Sequence, residues 1–421
     1  MYELAIIGAG AAGITCAKEA KKAGLRTVLI EKEKDSLGGT CLNQGCIPTK
    51  FFLKSSQAHK TWPDTFNQSQ TLTKKIKLSL LALLEKQGLD LVWGSAQLLG
   101  KNSLVADGKT IKAKNIIIAT GSSPKPSLKS PRVIFAEEIF SKETFGDKIL
   151  IIGAGYIGVE TASLLQGFGK SVYLVEKEEQ ILPSFDPYLA QRLRVILESK
   201  GINIATGQDI DGYNLNDFDL VISAVGRVPN LEGLGAEAIG LVKSPQGWLV
   251  ANKYLRTNIK NIYACGDITG RKLLAYVAEY QAGICIDNIK GKKRKEDYQG
   301  LSECVFSSPS LAKVGILEEE AKTRGIKYRL VKSNFLRFSS AYVYGDTDGF
   351  IEILIDKRKK IIGAGIISQA SAELISIFSL CIRNNLSLDS LKRCLFIHPT
   401  LSEIIPQLLN SELAVGRQKQ H

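Results

Sequence analysis

Residues 6–33 read IIGAGAAGITCAKEAKKAGLRTVLIEKE, and 145 positions later residues 151–178 read IIGAGYIGVETASLLQGFGKSVYLVEKE. Each copy passes from an apolar stretch through G-x-G-x-x-G into an amphipathic segment, a glycine, a second apolar stretch and a closing glutamate. That order spells strand, tight turn, helix and parallel strand, the βαβ unit of dinucleotide-binding folds. Gly8 and Gly153 permit the turn, Gly10 and Gly155 let a pyrophosphate approach the backbone, and Gly13 and Gly158 let helix and strand pack closely. The helix N-terminus then offers free N–H groups and a positive dipole end to phosphate. Glu31 and Glu176 each stand 18 residues beyond the third glycine, where a carboxylate can accept ribose hydroxyls. One such motif is weak evidence. Two complete copies predict two dinucleotide sites.

Outward from these units, LTKKIKLSLLALLEKQG (72–88) is spaced as a helix with a terminal glycine. NIIIATGS (115–122) and DLVISAVGR (219–227) read as buried strands running into turns, and NIYACGD (261–267) as a third. From about residue 300 the pattern changes to hairpin-like strands, GFIEILID and KIIGAGIIS, followed by an apolar helix at 370–384. That tail predicts a separate α+β domain.

With 421 residues, 44% hydrophobic, the chain has ample material for two or three cores. No apolar run reaches the roughly 20 residues that span a bilayer. YELAII runs directly into the first turn, with no room for a leader, so a soluble cytoplasmic protein is expected. The formal charge is +13, which favours acidic partners. Its densest cluster, KGKKRK at 290–295, lacks interleaved aromatics and reads as a solvated linker, so nucleic-acid binding is not expected.

Six of the eight cysteines are scattered and read as buried small hydrophobes. Cys41 and Cys46, in GGTCLNQGCIPTK (38–50), are close neighbours. Zinc would need further cysteine or histidine ligands that the sequence does not pair with them, so no metal is expected. A staple closing so short a loop would restrict the unfolded chain little. Positions five apart in a regular helix differ by about 7.5 Å in rise, beyond the usual disulfide span. A bridge therefore needs a distorted turn, for which Gly45 supplies freedom and Pro48 removes a helical donor. Such a pair suits electron exchange.

GGTCLNQGCIPTK, the two nucleotide units, IIIATGS, ISAVGRVPN, NIYACGD and IHPTLSE, in that order, together resemble the class I pyridine nucleotide–disulfide oxidoreductases. Within that family the chain is most similar to the dihydrolipoamide dehydrogenase branch. The resemblance implies an α/β fold of two Rossmann-like domains, for FAD and NAD, with a C-terminal α+β dimerisation domain. It divides the chain into 1–145 (FAD, with the redox disulfide), 146–256 (NAD), 257–298 (central FAD segment) and 299–421 (dimerisation). It assigns FAD to Gly8, Gly10, Gly13, Glu31, Gly121, Asp267, Leu274 and Ala275, and NAD to Gly153, Gly155, Gly158, Glu176, Ala224, Gly226 and Arg227. Lys50 and Glu160 would form an ion pair beside the flavin, and Tyr156 would cover its nicotinamide face or simply pack. Cys46 would face the flavin and Cys41 the dithiol.

Exchange needs a thiolate and hence a base. Of three histidines, His59 lies in a polar stretch and His421 ends the chain, whereas His398 sits in IHPTLSE with Glu403 five residues on. The resemblance makes His398 the base, reaching the disulfide of a second subunit, with Glu403 orienting it. The implied activity oxidises dihydrolipoamide, free or on a lipoyl domain of a 2-oxo acid dehydrogenase complex, and reduces NAD⁺. Glu176 favours NAD over NADP, since a carboxylate repels a 2′-phosphate. A related reductase of another disulfide, a quinone or a metal ion is the alternative. A basic redox scaffold without turnover is the remaining class. The sequence departs from the family in about 20 residues missing before the 72–88 helix, in a pruned segment between Thr206 and Asp217, and in Tyr276, which replaces a common histidine.

Overall fold

A computed structural model describes residues 1–126, 128 and 130–414; His421 and the end of the expected 299–421 segment lie outside the described residues. The first βαβ unit builds a seven-stranded sheet. Strand Tyr2–Ile7 lies between Thr27–Glu31 and Lys109–Ile118, parallel to both. Asp90–Trp93 extends one side, and Ile262–Ala264 joins Lys109–Ile118 in parallel. The chain therefore returns to its first sheet after completing the second unit. A short antiparallel pair, Gln97–Gly100 and Ser103–Ala106, hangs on the start of Lys109–Ile118.

The second unit forms a five-stranded parallel sheet in the order Asn203–Ala205, Ser171–Val175, Lys148–Ile152, Leu220–Ser223, Val133–Phe135. Helices cover such sheets on both faces, which is why the strands read as unbroken apolar runs. Between Thr206 and Asp217 there are two short 3₁₀ turns, Ile210–Gly212 and Leu215–Asp217. The tail is a five-stranded antiparallel sheet, Ser302–Val305, Ser310–Gly315, Ile361–Ser368, Phe350–Asp356 and Tyr328–Asn334 in spatial order. The helix Ser371–Arg383 follows it.

Five helices position the site: α1 (Ala11–Lys22), α2 (Gly39–Asn43), α3 (Cys46–Gln57), α4 (Trp62–Lys86) and α5 (Tyr156–Gly167). The helix expected at 72–88 is α4, and it begins ten residues earlier. Thr61 caps it by accepting the Asp64 N–H at 3.3 Å. Its first half escaped the apolar periodicity because small polar residues, Thr65 and Ser69, are what it buries there beside Trp62. Phe52 of α3 packs on Trp62 (centroids 4.5 Å apart), Phe140 (5.3 Å) and Phe168 (6.0 Å). This cluster fixes the helix that starts at Cys46 to the second nucleotide unit, just beyond the end of α5.

Candidate active site

One cleft of about 2140 Å³ runs between the units, more than twice the usual upper size for a small-molecule site. Gly8, Gly10 and Glu31 line one part of it, and Gly153, Gly155 and Glu176 another. The two turns are built alike. Gly8 has φ 101° and Gly153 φ 96°. A Cβ on Gly13 would lie 1.7 Å from the Gly8 carbonyl oxygen, and one on Gly158 1.8 Å from that of Gly153. Each third glycine is thus demanded by contact with the first and stays behind the cleft wall. The closing glutamates hold the turns shut: Ala9 N–H donates to Glu31 Oε2 at 2.5 Å, and Ala154 N–H to Glu176 Oε2 at 2.6 Å. Nothing in the motif had signalled these two bonds. Burial raises the Glu31 pKa above the ordinary carboxylate range. A Cβ on Gly155 would meet nothing within 4 Å, which leaves the open approach that a pyrophosphate requires. The volume, the glycine cradles and the paired carboxylates fit two dinucleotides.

Cys41 and Cys46 both line this cleft. Cys41 is half-buried and Cys46 exposed. The helix breaks between them: α2 ends at Asn43, Gln44 and Gly45 leave helical geometry, and α3 begins at Cys46. A Cβ on Gly45 would come within 3.0 Å of the Thr40 carbonyl oxygen and 3.4 Å of Cys41 Cα, so the missing side chain lets the two helical turns close on each other. The two side chains act on each other: Cys46 holds the Cys41 pKa below the ordinary thiol value, while Cys41 and desolvation together raise that of Cys46.

Asp267, Leu274, Ala275 and Gly121 line the cleft, as do Ala224, Gly226 and Arg227. Ser122 ties these groups together. Its hydroxyl donates to Asp267 Oδ2 at 2.7 Å, while its oxygens accept Arg227 Nε and Nη2, each at 2.7 Å. Arg227 also pairs with Glu137. Burial raises the Asp267 pKa, and the Ser122 bond offsets part of that. Sequence reasoning missed Ser122 and Glu137; only the adjacency of Ser122 to Gly121 pointed toward it.

Lys50 and Glu160 make no direct ion-pair contact, but each charge is felt by the other, and both also engage Phe306. Lys50 Nζ lies 4.3 Å over the Phe306 ring, and Glu160 Oε1 accepts the Phe306 N–H at 2.9 Å. Phe306 thus gives each charge one contact. Desolvation pushes Glu160 up to about 7 and lowers Lys50. Glu160 lines the cleft; Lys50 does not.

His398 and Glu403 also lie outside the lining of this cleft. His398 Nδ1 meets Glu403 Oε2 at 2.8 Å, the imidazole side chain 72% exposed and the carboxylate 8%. Apolar side chains flank the imidazole: Leu395 is 100% and Ile397 77% exposed, with Tyr342 and Val343 also outward. The Tyr344 hydroxyl donates to the Pro399 carbonyl at 3.3 Å, joining these segments.

Two glutamate-closed nucleotide turns and a thiol pair in one cleft define a thiol-redox oxidoreductase served by two dinucleotides. The profile of the pyridine nucleotide-disulphide oxidoreductases matches residues 2–282, and that of their dimerisation domain residues 301–409. The chain belongs to this family, whose cofactors are FAD and a pyridine nucleotide. It is 32% identical over 444 residues to a dihydrolipoyl dehydrogenase of Chlamydia trachomatis, covering 96% of this chain and 95% of that protein. A dihydrolipoyl dehydrogenase of Bacillus subtilis is 31% identical over 459 residues, covering 96% of each. Among solved structures, the HOCl-induced flavoprotein disulfide reductase RclA from Escherichia coli superposes with TM-score 0.92 at 28% identity, covering 97% of this chain and 99% of that one. A Cu(II) complex of the same reductase superposes with TM-score 0.91. No helix among the described residues is long and apolar enough to cross a membrane.

Proposed function

We propose that the protein is a dihydrolipoamide dehydrogenase that oxidises a dithiol at Cys41 and Cys46 and delivers the electron pair to NAD⁺. The observation that carries this reading is the neighbouring Cys41–Cys46 pair lining the same cleft as both nucleotide turns. FAD would be held by Gly8, Gly10 and Glu31, with Gly13 shaping their turn, and by Gly121, Asp267, Leu274 and Ala275. NAD⁺ would be held by Gly153, Gly155, Glu176, Ala224, Gly226 and Arg227, with Gly158 behind. Bound FAD supplies two-electron transfer between thiols and nicotinamide. Glu160 and Lys50 supply the polar surroundings of that exchange. The buried Glu176 carboxylate supports NAD⁺ over NADP⁺.

In the oxidised enzyme, a substrate thiolate attacks Cys41 Sγ, breaking its bond to Cys46 and forming a mixed disulfide. The second substrate thiol then displaces Cys41, leaving cyclic disulfide and two reduced cysteines; two protons must depart. His398 takes a proton, oriented by Glu403. Since His398 stands outside its own cleft amid exposed apolar side chains, the reading places it against the Cys41–Cys46 pair of a second copy, giving a homodimer with shared sites. The lipoyl group of a 2-oxo acid dehydrogenase complex is the macromolecular substrate in this reading.

The test follows NAD⁺ reduction by the FAD-loaded protein with dihydrolipoamide, with NADP⁺ and His398→Ala in parallel. Turnover with NAD⁺ alone, cut by about 10²–10⁴-fold in the variant, is the expected result. The likeness to RclA supports a second reading, a reductase of another disulfide, a quinone or a metal ion. No turnover with dihydrolipoamide, while NADH is consumed with Cu(II), quinones or other disulfides, would replace the first reading with the second.

A further inference from the structure

One carboxylate in the cleft wall belongs to neither nucleotide turn and to no motif. Glu303, in strand Ser302–Val305, gathers groups from three parts of the chain. Tyr156, the first residue of α5 and next to the Gly153–Gly155 turn, donates its hydroxyl to Glu303 Oε2 at 2.5 Å. Lys272, from the segment that precedes Leu274, pairs with Oε1. Lys313, directly opposite Glu303 in the antiparallel register, lies 3.7 Å from Oε2 and also donates to the Ser184 carbonyl at 2.7 Å. The Tyr156 ring packs on Phe185, with centroids 5.2 Å apart. Tyr156, Ser184, Lys272 and Glu303 all face the cleft. Glu303 is 12% exposed at its side chain, so this hub is a fixed part of the wall rather than a solvated surface pair.

We propose that Glu303 is a positioning residue that holds the Tyr156 phenol and the Lys272 ammonium in place for the nicotinamide end of the nucleotide. The proposal rests on the assignment of the second turn to NAD⁺. Tyr156 has its backbone at the helix N-terminus beside the turn and its side chain pinned across the cleft, so releasing the phenol leaves a ring that binding must order again. Ordering one such side chain costs enough to weaken binding by about twofold to tenfold. The adenosine end is held by Glu176 and the glycine turn and should not register the change.

Binding of NAD⁺ and of ADP-ribose, which lacks the nicotinamide, is measured by calorimetry on FAD-loaded wild type, Glu303→Gln, Tyr156→Phe and the double variant. The proposal expects NAD⁺ to bind about twofold to tenfold more weakly in each single variant, no weaker again in the double, with ADP-ribose unchanged. In turnover, the KM for NAD⁺ should rise in the variants by the same factor as the binding loss. Unchanged or tighter NAD⁺ binding, an equal loss for ADP-ribose, or additive losses in the double variant would overturn the role of Glu303. Wild-type protein that binds neither ligand would overturn the nucleotide assignment and this proposal with it.

Discussion

Glu352 is 0% exposed, and neither of its carboxylate oxygens has a hydrogen-bond partner. Desolvation, reinforced by Asp186 and Glu318 and opposed by Lys332 and Arg192, pushes its pKa up to about 8 from 4.5. The folded state therefore binds a proton here that the unfolded chain releases. This contribution is complete below about pH 4.5 and is lost as pH rises to about 8. Glu352→Gln should gain on wild type by on the order of a few kcal/mol between pH 5 and pH 9. Urea unfolding at those two values checks it; parallel curves would refute the assignment. Glu160, at about 7, carries the same sign. None of this was visible in the sequence, where Glu352 is one acidic residue inside FIEILID. By contrast Cys41, Cys46, Gly8 and Gly153 were legible, because a turn or an exchange reaction restricts the residue types allowed. Lys50 and Glu160 mark the limit: their charges were plain, but the Phe306 residue that each engages lies 146 positions beyond Glu160 in the chain.

The break between α2 and α3 depends on Gly45 having no side chain. Gly45→Ala should push Thr40 and Cys41 away from Cys46, making the disulfide harder to form. A redox titration read by thiol labelling should then show a more positive potential than wild type; an unchanged potential would mean the turn yields freely. Phe52, fully buried at the centre of the aromatic cluster, tests the seating of α3. Phe52→Ala should cost about 3–5 kcal/mol in global stability, measured by denaturant unfolding of the FAD-free chain. Helices whose buried face was apolar could be read from periodicity. The first half of α4 could not, since Thr65 and Ser69 look like surface residues until Trp62 and its neighbours close over them.

At the scale of the molecule, three sheets followed from pattern, since a repeated βαβ unit and an alternating tail prescribe parallel and antiparallel pairing. The return of Ile262–Ala264 to the first sheet came only through the family resemblance, because short strands carry no address for their partners. The shared-site reading has a direct test. Chains carrying Cys41→Ser and chains carrying His398→Ala are each expected to be nearly inactive. Mixed and allowed to re-dimerise, they should recover up to about half of wild-type activity per mixed dimer, because one of its two sites is then intact. No recovery, with mixed dimers shown to form, would mean that each chain works alone.

The bond from Ala154 N–H to Glu176, mirrored by Ala9 and Glu31, has a consequence for how this protein can evolve. On the proposed reading, the side chain that would choose between two coenzymes is also a fastener of the loop that would receive them. Replacing Glu176 with a basic residue removes an acceptor from the turn in the same step that it welcomes a 2′-phosphate. An altered coenzyme preference is therefore reached through a second substitution that restores the lost acceptor. Lineages that change preference must cross, or first bypass, an intermediate with a loosened loop.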